Sequence, residues 1–216
     1  VVNHPDLTVH KPGEKKNLPA KCDPSCDCGR YVEVWNDVFM QYNKKADGTF
    51  EPLKQQNVDT GLGFERMVAI LQGKESPYET ELFLPIVDKL FSFTSYDRKT
   101  PKAVYASRVI ADHIRSATFI LGDRNGVRPS NVDQGYILRR LIRRAIRYAR
   151  MIEIQNLFTA DLAKIYIDNY CDIYPELKQN ETHILSELKR EEEQFTIHTL
   201  KHGLKELEQL IEKKYK

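Results

Sequence analysis

The chain has 216 residues, of which 41% are hydrophobic and 30% charged, and its formal net charge is +2. This length and balance fit one large domain or two small ones around a real core, and exclude a disordered chain. No apolar run approaches the ~20 residues that span a bilayer, which excludes a membrane protein by that criterion, and the opening Val1-Val2-Asn3-His4-Pro5-Asp6 has no basic-then-apolar leader.

Residues 1–29, rich in Pro, Gly, Lys and Asp, read as irregular surface loop. Cys22, Cys26 and Cys28 lie there, with Cys171 far away. That is a poor disulfide framework and points to a reduced, cytoplasmic protein. The triplet falls short of four well-spaced zinc ligands, only His4 and His10 being near, so it is read as a tight loop and no metal site is assigned. The β-branched and aromatic run 31–42 predicts a strand, with Val32, Val34, Asn36 and Val38 on one face by period two. Ala46-Asp47-Gly48-Thr49 predicts a turn and a hairpin-like return. A short strand over 57–61, a glycine hinge and an amphipathic helix closed by Gly73 follow.

Beyond Pro77 the periodicity is helical, with helices expected over 80–92, 102–121, 134–151, 158–172 and a long one over 179–214. The last has an apolar stripe of Ile184, Leu188, Phe195, Leu200, Leu204, Leu207 and Ile211. The polar stretch 92–101 marks a boundary. We therefore expect an α+β chain in two domains, a strand-bearing piece at 1–95 and an all-helical piece at 101–216.

Charge is segregated along this plan. Residues 103–150 hold ten arginines against three aspartates, with no lysine or glutamate, a balance of +7 that leaves −5 for the remainder. Such a block suggests a polyanionic partner. Arg139, Arg140, Arg143, Arg144, Arg147 and Arg150 fall within twelve residues, and Leu138, Leu141, Ile142, Ala145 and Ile146 form the opposite, buried face. Guanidinium groups bind phosphate well, with an affinity that falls with salt. The competing reading is a solvated face paired with Glu191, Glu192 and Glu193.

A second constellation is Asp59-Thr60-Gly61-Leu62-Gly63-Phe64-Glu65-Arg66. A strand delivers a carboxylate, two glycines permit close approach to the backbone, and an arginine sits on the first turn of a helix. The set suits a ligand carrying an amine and phosphates; the alternative is a glycine-rich strand–helix turn with Glu65 and Arg66 on the surface.

Gly61-Leu62-Gly63-Phe64-Glu65-Arg66 resembles motif 3 of class II aminoacyl-tRNA synthetases, with Phe64 where Leu is usual. The strings Arg30-Tyr31-Val32-Glu33-Val34-Trp35-Asn36, Val38-Phe39-Met40-Gln41 and Asn57-Val58-Asp59-Thr60-Gly61 are similar to the alanyl-tRNA synthetase family in particular. Further on, Arg108-Val109-Ile110-Ala111-Asp112-His113-Ile114-Arg115, Pro129-Ser130-Asn131, Gly135-Tyr136-Ile137-Leu138-Arg139-Arg140, Arg143-Arg144-Ala145 and Glu191-Glu192-Glu193-Gln194-Phe195 are similar to its helical tRNA-recognition domain. The resemblance runs from about residue 20 to the end.

That resemblance implies the C-terminal part of a class II antiparallel-sheet catalytic core followed by an all-α domain. It implies Mg2+-ATP-dependent activation of alanine and transfer to tRNA(Ala), with ATP and Mg2+ entering as a substrate complex. Asp59 would hold the α-amino group, Asn36 and Val38 would line the alanine pocket, and Gly61 would leave room at its floor. Gly63 and Arg66 would meet ATP. Asn131 would read a base pair near the end of the acceptor stem, alongside Arg139, Arg140, Arg143, Arg144 and Arg147. No protein nucleophile is expected, since catalysis of this kind is positioning and charge stabilisation. Nothing in the chain resembles motif 1, motif 2 or an editing domain, and no initiator Met is present. The expectation is thus a fragment that begins between motifs 2 and 3, is inactive alone, and has the missing N-terminal half of the catalytic domain as a partner. A catalytically dead tRNA- or RNA-binding module with a vestigial Asp59 pocket is the alternative, and a scaffold using the 179–214 helix is a third reading.

Overall fold

The structure, a computed structural model, describes residues 2–3, 24 and 31–214. It is α+β, and the chain groups into two units, Val1–Thr80 and Glu81–Lys216.

The first unit holds two antiparallel strand pairs. β1 (Val2–Asn3) pairs with β2 (Tyr31–Val32), so the loop expected over 1–29 is corrected at its start. The cysteines at 22, 26 and 28 lie outside the described residues. β3 (Trp35–Lys44) and β4 (Phe50–Leu62) form the anticipated hairpin. Its turn is built by Asp47, whose carboxylate accepts from the Thr49 amide at 2.9 Å and hydroxyl at 2.7 Å, while Gly48 takes φ +86°. The Thr49 hydroxyl, then its amide, hold the Asp47 carboxyl below its ordinary pKa.

Two strand expectations are revised. The face drawn through Val32 and Val34 breaks at residues 33–34, where the chain leaves the strand and the Val34 carbonyl accepts from the Gly63 N–H at 3.3 Å. β4 is also far longer than residues 57–61. Met40 pairs with Asn57 but Tyr42 with Pro52, so residues 53–56 are the surplus opposite Gln41. A bulge carries β4 through a polar stretch that propensity alone would end. α1 (Phe64–Leu71) closes as expected: Gly73 adopts φ +64°, its N–H meets Ile70 O, and the Lys74 N–H reaches back to Ala69 O, a Schellman ending.

The second unit is helical: α2 (Leu84–Phe91), α3 (Pro101–Gly122), α4 (Asp133–Met151), α5 (Thr159–Tyr170), α6 (Pro175–Gln179), α7 (Glu181–Glu193) and α8 (Lys201–Lys214). Thr100 caps α3 by accepting from the Ala103 N–H, with Pro101 on its first turn. α3 buries a run of small residues, Ala103, Ala106, Ala111 and Ala117, beside Ile110 and Ile114. Those alanines let α4 approach closely with Leu138, Ile142, Ala145, Ile146 and Ala149. Leu141, expected among them, is only half-buried. Behind this pair, α5 packs on α3 and α7, and the Tyr166 hydroxyl donates to Ala111 O at 2.9 Å.

The single helix expected over 179–214 is interrupted. Asn180 separates α6 from α7 and donates its side-chain amide to Gly122 O at 2.9 Å. Past Glu193 the helix widens into a π-helical stretch, Gln194–Leu200, before α8. Ile184 and Leu188 keep the stripe buried, whereas Ile211 is exposed.

Glu192 ties α7 to the start of α5. It accepts from the Phe158 amide, and from the Thr159 amide at 3.0 Å and hydroxyl at 2.6 Å, satisfying helix-start donors that carry a partial positive charge. Burial pushes its pKa up, against those hydrogen bonds and Arg150. A carboxyl with a raised folded-state pKa favours the fold most below its unfolded value of about 4.3, and that contribution falls as pH rises through the folded value. Glu192→Gln is expected to flatten that part of the pH–stability profile, read as thermal midpoint from pH 4 upward. Glu192→Ala, which orphans three donors, should cost roughly 2–3 kcal/mol by denaturant unfolding.

Candidate functional site

The hairpin register builds the first site. Asn36 pairs with Gly61 and Val38 with Asp59. Directly opposed residues of an antiparallel pair share a face, so all four stand together. With Glu33, Thr60, Leu62 and Gly63 they line an open groove of about 390 Å³. A Cβ on Gly61 would meet nothing within 4 Å, so the space above it belongs to the groove. Arg66 stands beside the groove rather than among its lining residues: it is exposed, and its Nη1 donates to Glu33 O at 3.0 Å. The Glu33 carboxylate accepts from the Asn36 amide at 3.4 Å, so one residue links Asn36 to Arg66. Sequence reasoning missed Glu33, which looked like one more strand residue. Chemically, a carboxylate facing a shallow floor suits an ammonium ligand with a small side chain, and a guanidinium at the edge suits phosphate or a planar base.

In the second unit Asn131, Arg139, Arg140, Arg143, Arg144 and Arg147 all line one surface pocket of about 450 Å³, with Tyr136 and Phe195. The arginines are held in two ways. Arg143 Nε donates to Glu191 Oε1 at 2.7 Å, and Arg139 Nε lies 3.2 Å from the same oxygen without the alignment of a hydrogen bond. For these two, the acidic-neighbour reading holds. Others lie over rings: Arg140 over Tyr136 at 5.7 Å, and Arg144 and Arg147 over Tyr148 at 5.8 Å each. Arg143 also covers Phe195 at 5.0 Å. Arg140, Arg144 and Arg147 remain exposed over these rings, and Arg144 and Arg147 also meet the Tyr148 hydroxyl. Arg150 does not join them, because it donates to Ile154 O and Gln155 Oε1 at the end of α4. His113 lies in the same unit with neither ring nitrogen bonded. Burial first, then Arg144, hold its pKa below the ordinary value against a weaker pull from Asp112, so it is neutral at pH 7 and adds no charge.

Glycine explains where Asn131 sits. A Cβ on Gly135 would lie 2.3 Å from Ser130 Oγ and 2.5 Å from Arg128 O, and the Ser130 N–H bonds Gly135 O at 3.0 Å. The loop preceding α4 therefore lies directly on the helix, and Asn131 is carried to the rim of the arginine pocket. Asp123 and Asn125 shape an earlier turn of the same connection. Among the described residues there is no group of three or more His, Cys, Asp or Glu able to hold a metal ion. No described helix is long and apolar enough to cross a membrane.

Compared with known proteins, residues 8–216 match the family model "tRNA synthetases class II (A)". The chain belongs to the class II tRNA synthetases. Alanine–tRNA ligase of Treponema pallidum is 49% identical over 193 residues, 89% of this chain and 32% of that protein. Its counterpart in Borrelia hermsii is 42% identical over 216 residues, 96% of the chain and 35% of the relative. That of Elusimicrobium minutum is 41% identical over 204 residues, 94% and 23%. This class II synthetase chain thus spans about a third or less of the length of the curated relatives it matches.

For this synthetase chain, Gly135→Ala should loosen the loop that carries Asn131. We expect a stability loss of roughly 1–3 kcal/mol, as for overpacking, with amide shifts concentrated at 128–136. An unshifted spectrum would contradict the close approach.

Proposed function

We propose that the chain is part of an alanine–tRNA ligase, supplying the motif 3 side of the site that activates alanine and a helical surface that meets tRNA(Ala). The observation that carries this is the cross-strand pairing of Asn36 with Gly61 and Val38 with Asp59, which gathers a carboxylate, an amide and an open glycine floor in one groove. On this reading Asp59 holds the ammonium group of alanine, Asn36 and Val38 flank its methyl group, and Gly61 leaves it space. Gly63 lets the nucleotide approach the backbone, and Arg66 turns from Glu33 O to the adenine or γ-phosphate of Mg2+-ATP. The protein's part is placement and charge compensation; no side chain attacks the substrate.

The arginine pocket supports the tRNA half. Arg140, Arg144 and Arg147 stay exposed to meet phosphate, while Asn131 at the rim carries an amide group that can hydrogen-bond a base edge. The relatives' extra length supports the expectation that further segments, including an N-terminal half with motifs 1 and 2, complete the catalytic core. So does β3, exposed along its whole length with Trp35 57% and Phe39 75% accessible. A two-stranded ribbon is marginal alone. The chain by itself is then expected not to activate alanine.

Three measurements test this. ATP–pyrophosphate exchange by the isolated chain should be absent; robust turnover would refute its dependence on a missing half. A non-hydrolysable alanyl-adenylate analogue should bind, and Asp59→Ala and Gly61→Val should each lose binding at least ten-fold with the fold intact. A parent chain that ignores the analogue yet binds RNA would leave a catalytically dead RNA-binding module. Finally, tRNA affinity should fall steeply with salt, and each of Arg140→Gln, Arg144→Gln and Arg147→Gln should reduce the log–log slope by about 1.

A further inference from the structure

Asn131 does not face RNA with a free amide. Its side-chain oxygen accepts a hydrogen bond from Arg139 Nη1, and the other terminal nitrogen of Arg139 reaches Pro129 O at 3.4 Å. Arg139 is mostly buried, and its Nε stands 3.2 Å from Glu191 Oε1, on a carboxylate only 2% exposed. The same oxygen receives Arg143 Nε at 2.7 Å. A chain of polar contacts therefore runs from a buried carboxylate on α7, through a guanidinium on α4, to the carbonyl end of an exposed amide before α4.

An asparagine amide is two-faced, with an accepting oxygen and a donating NH2. In water the two ends exchange by rotation about the last side-chain bond, and such a residue reads a donor and an acceptor equally. Arg has no acceptor, so once Arg139 is fixed the Asn131 oxygen must turn toward it and the NH2 must turn away. We propose that Glu191 is a positioning residue: by holding Arg139 it locks Asn131 with its NH2 outward, so that Asn131 recognises hydrogen-bond acceptors on an RNA base edge and rejects donors such as an exocyclic amine. This rests on the reading of Asn131 as an RNA contact and adds the polarity of that contact and its source. In a shallow A-form minor groove the acceptors are purine N3 and pyrimidine O2, and the competing donor is guanine N2. Glu191 touches no substrate; it acts through Arg139.

The probe is a synthetic RNA hairpin with the acceptor stem of an alanine tRNA, compared with hairpins in which its base pairs are transposed one at a time. The parent chain should prefer the unaltered stem at one position, and Asn131→Ala should remove that preference. Asn131→Asp, which keeps the shape but cannot donate, should remove it equally. Glu191→Gln should lower the preference about ten-fold without changing affinity for the transposed hairpin, and should add nothing to Asn131→Ala in the double variant. A purely structural role for Glu191 would lower both affinities together. Should Glu191→Gln not fold, Glu191→Asp, which keeps the charge but shortens the reach to Arg139, gives the same comparison.

A second readout needs no RNA. In the free chain the side-chain 15N–1H2 resonances of Asn131 should shift in Glu191→Gln as the amide regains rotation. Unmoved resonances together with an intact preference overturn the relay while leaving Asn131 as an RNA contact. Resonances that move, with no base-pair preference in the parent, overturn the reading of Asn131 as an RNA contact, and the proposal with it.

Discussion

Arginines on successive turns of one helix repel, and α4 carries six of them in twelve residues. What allows Arg139 and Arg143 to lie inward against α7 is the Glu191 carboxylate, buried and within 3.2 Å of both guanidinium groups. A surface ion pair is worth ~0–1 kcal/mol, but a shared buried acceptor is a different matter, since losing it leaves two desolvated cations facing each other. Neighbouring groups depend on that contact. Phe195 lies under Arg143, Asn131 is bonded to Arg139, and both join the same pocket because α7 and α4 are pinned there. The pocket's remaining arginines are braced by rings instead of carboxylates, so they stay available to an anion.

The hairpin meets a similar demand through backbone geometry. Side chains alternate along a strand, so a slip of one residue in the β3–β4 ladder would send Asp59 and Gly61 to the face opposite Asn36 and Val38. The register is fixed at one end by the Asp47–Thr49 turn and at the other by the Gly63 N–H on Val34 O. Between them, the surplus residues 53–56 absorb a mismatch that would otherwise shift the ladder. Groove and bulge are therefore linked: the pairs from 35 to 40 keep their register because the irregularity lies nearer the turn.

The elements that were legible in the sequence are those governed by local periodicity. α3 and α4 follow from apolar spacing, the hairpin from the Asp47-Gly48 turn after the β-branched and aromatic run 31–42, and the end of α1 from Gly73. The misread elements turn on partners distant in sequence. Whether residues 33–34 stay in a strand depends on Gly63, and the break before α7 depends on the Asn180 amide meeting Gly122 O. Leu141 is half-exposed although its helical phase marks it as core, because burial depends on what faces a residue as well as on its own spacing. At the site, alternation groups Asn36 with Val38 and Asp59 with Gly61 within each strand, but only the ladder register puts the two pairs on one face. The offset of Arg66 toward Glu33 O has no sequence signal, because the backbone carbonyl of any residue can accept from Arg66, whatever its own side chain.

The arginine block shows how composition and geometry divide the description of a binding surface. Net charge establishes that an anion will be attracted, and six equal residues look interchangeable in the sequence. In three dimensions they separate by what holds them: Arg150 on backbone and Gln155, Arg139 and Arg143 on Glu191, and Arg140, Arg144 and Arg147 on aromatic rings. The three arginines that meet no carboxylate keep their charge uncompensated, so on the proposed reading they would carry the salt-dependent, sequence-independent part of binding. A cation already neutralised by a carboxylate contributes little to that long-range attraction. Its value is stereochemical: its terminal nitrogens are committed to fixed partners, which for Arg139 are Asn131 Oδ1 and Pro129 O. On the proposed reading, attraction and discrimination thus fall to different arginines of one helix, separated by whether a carboxylate meets the guanidinium.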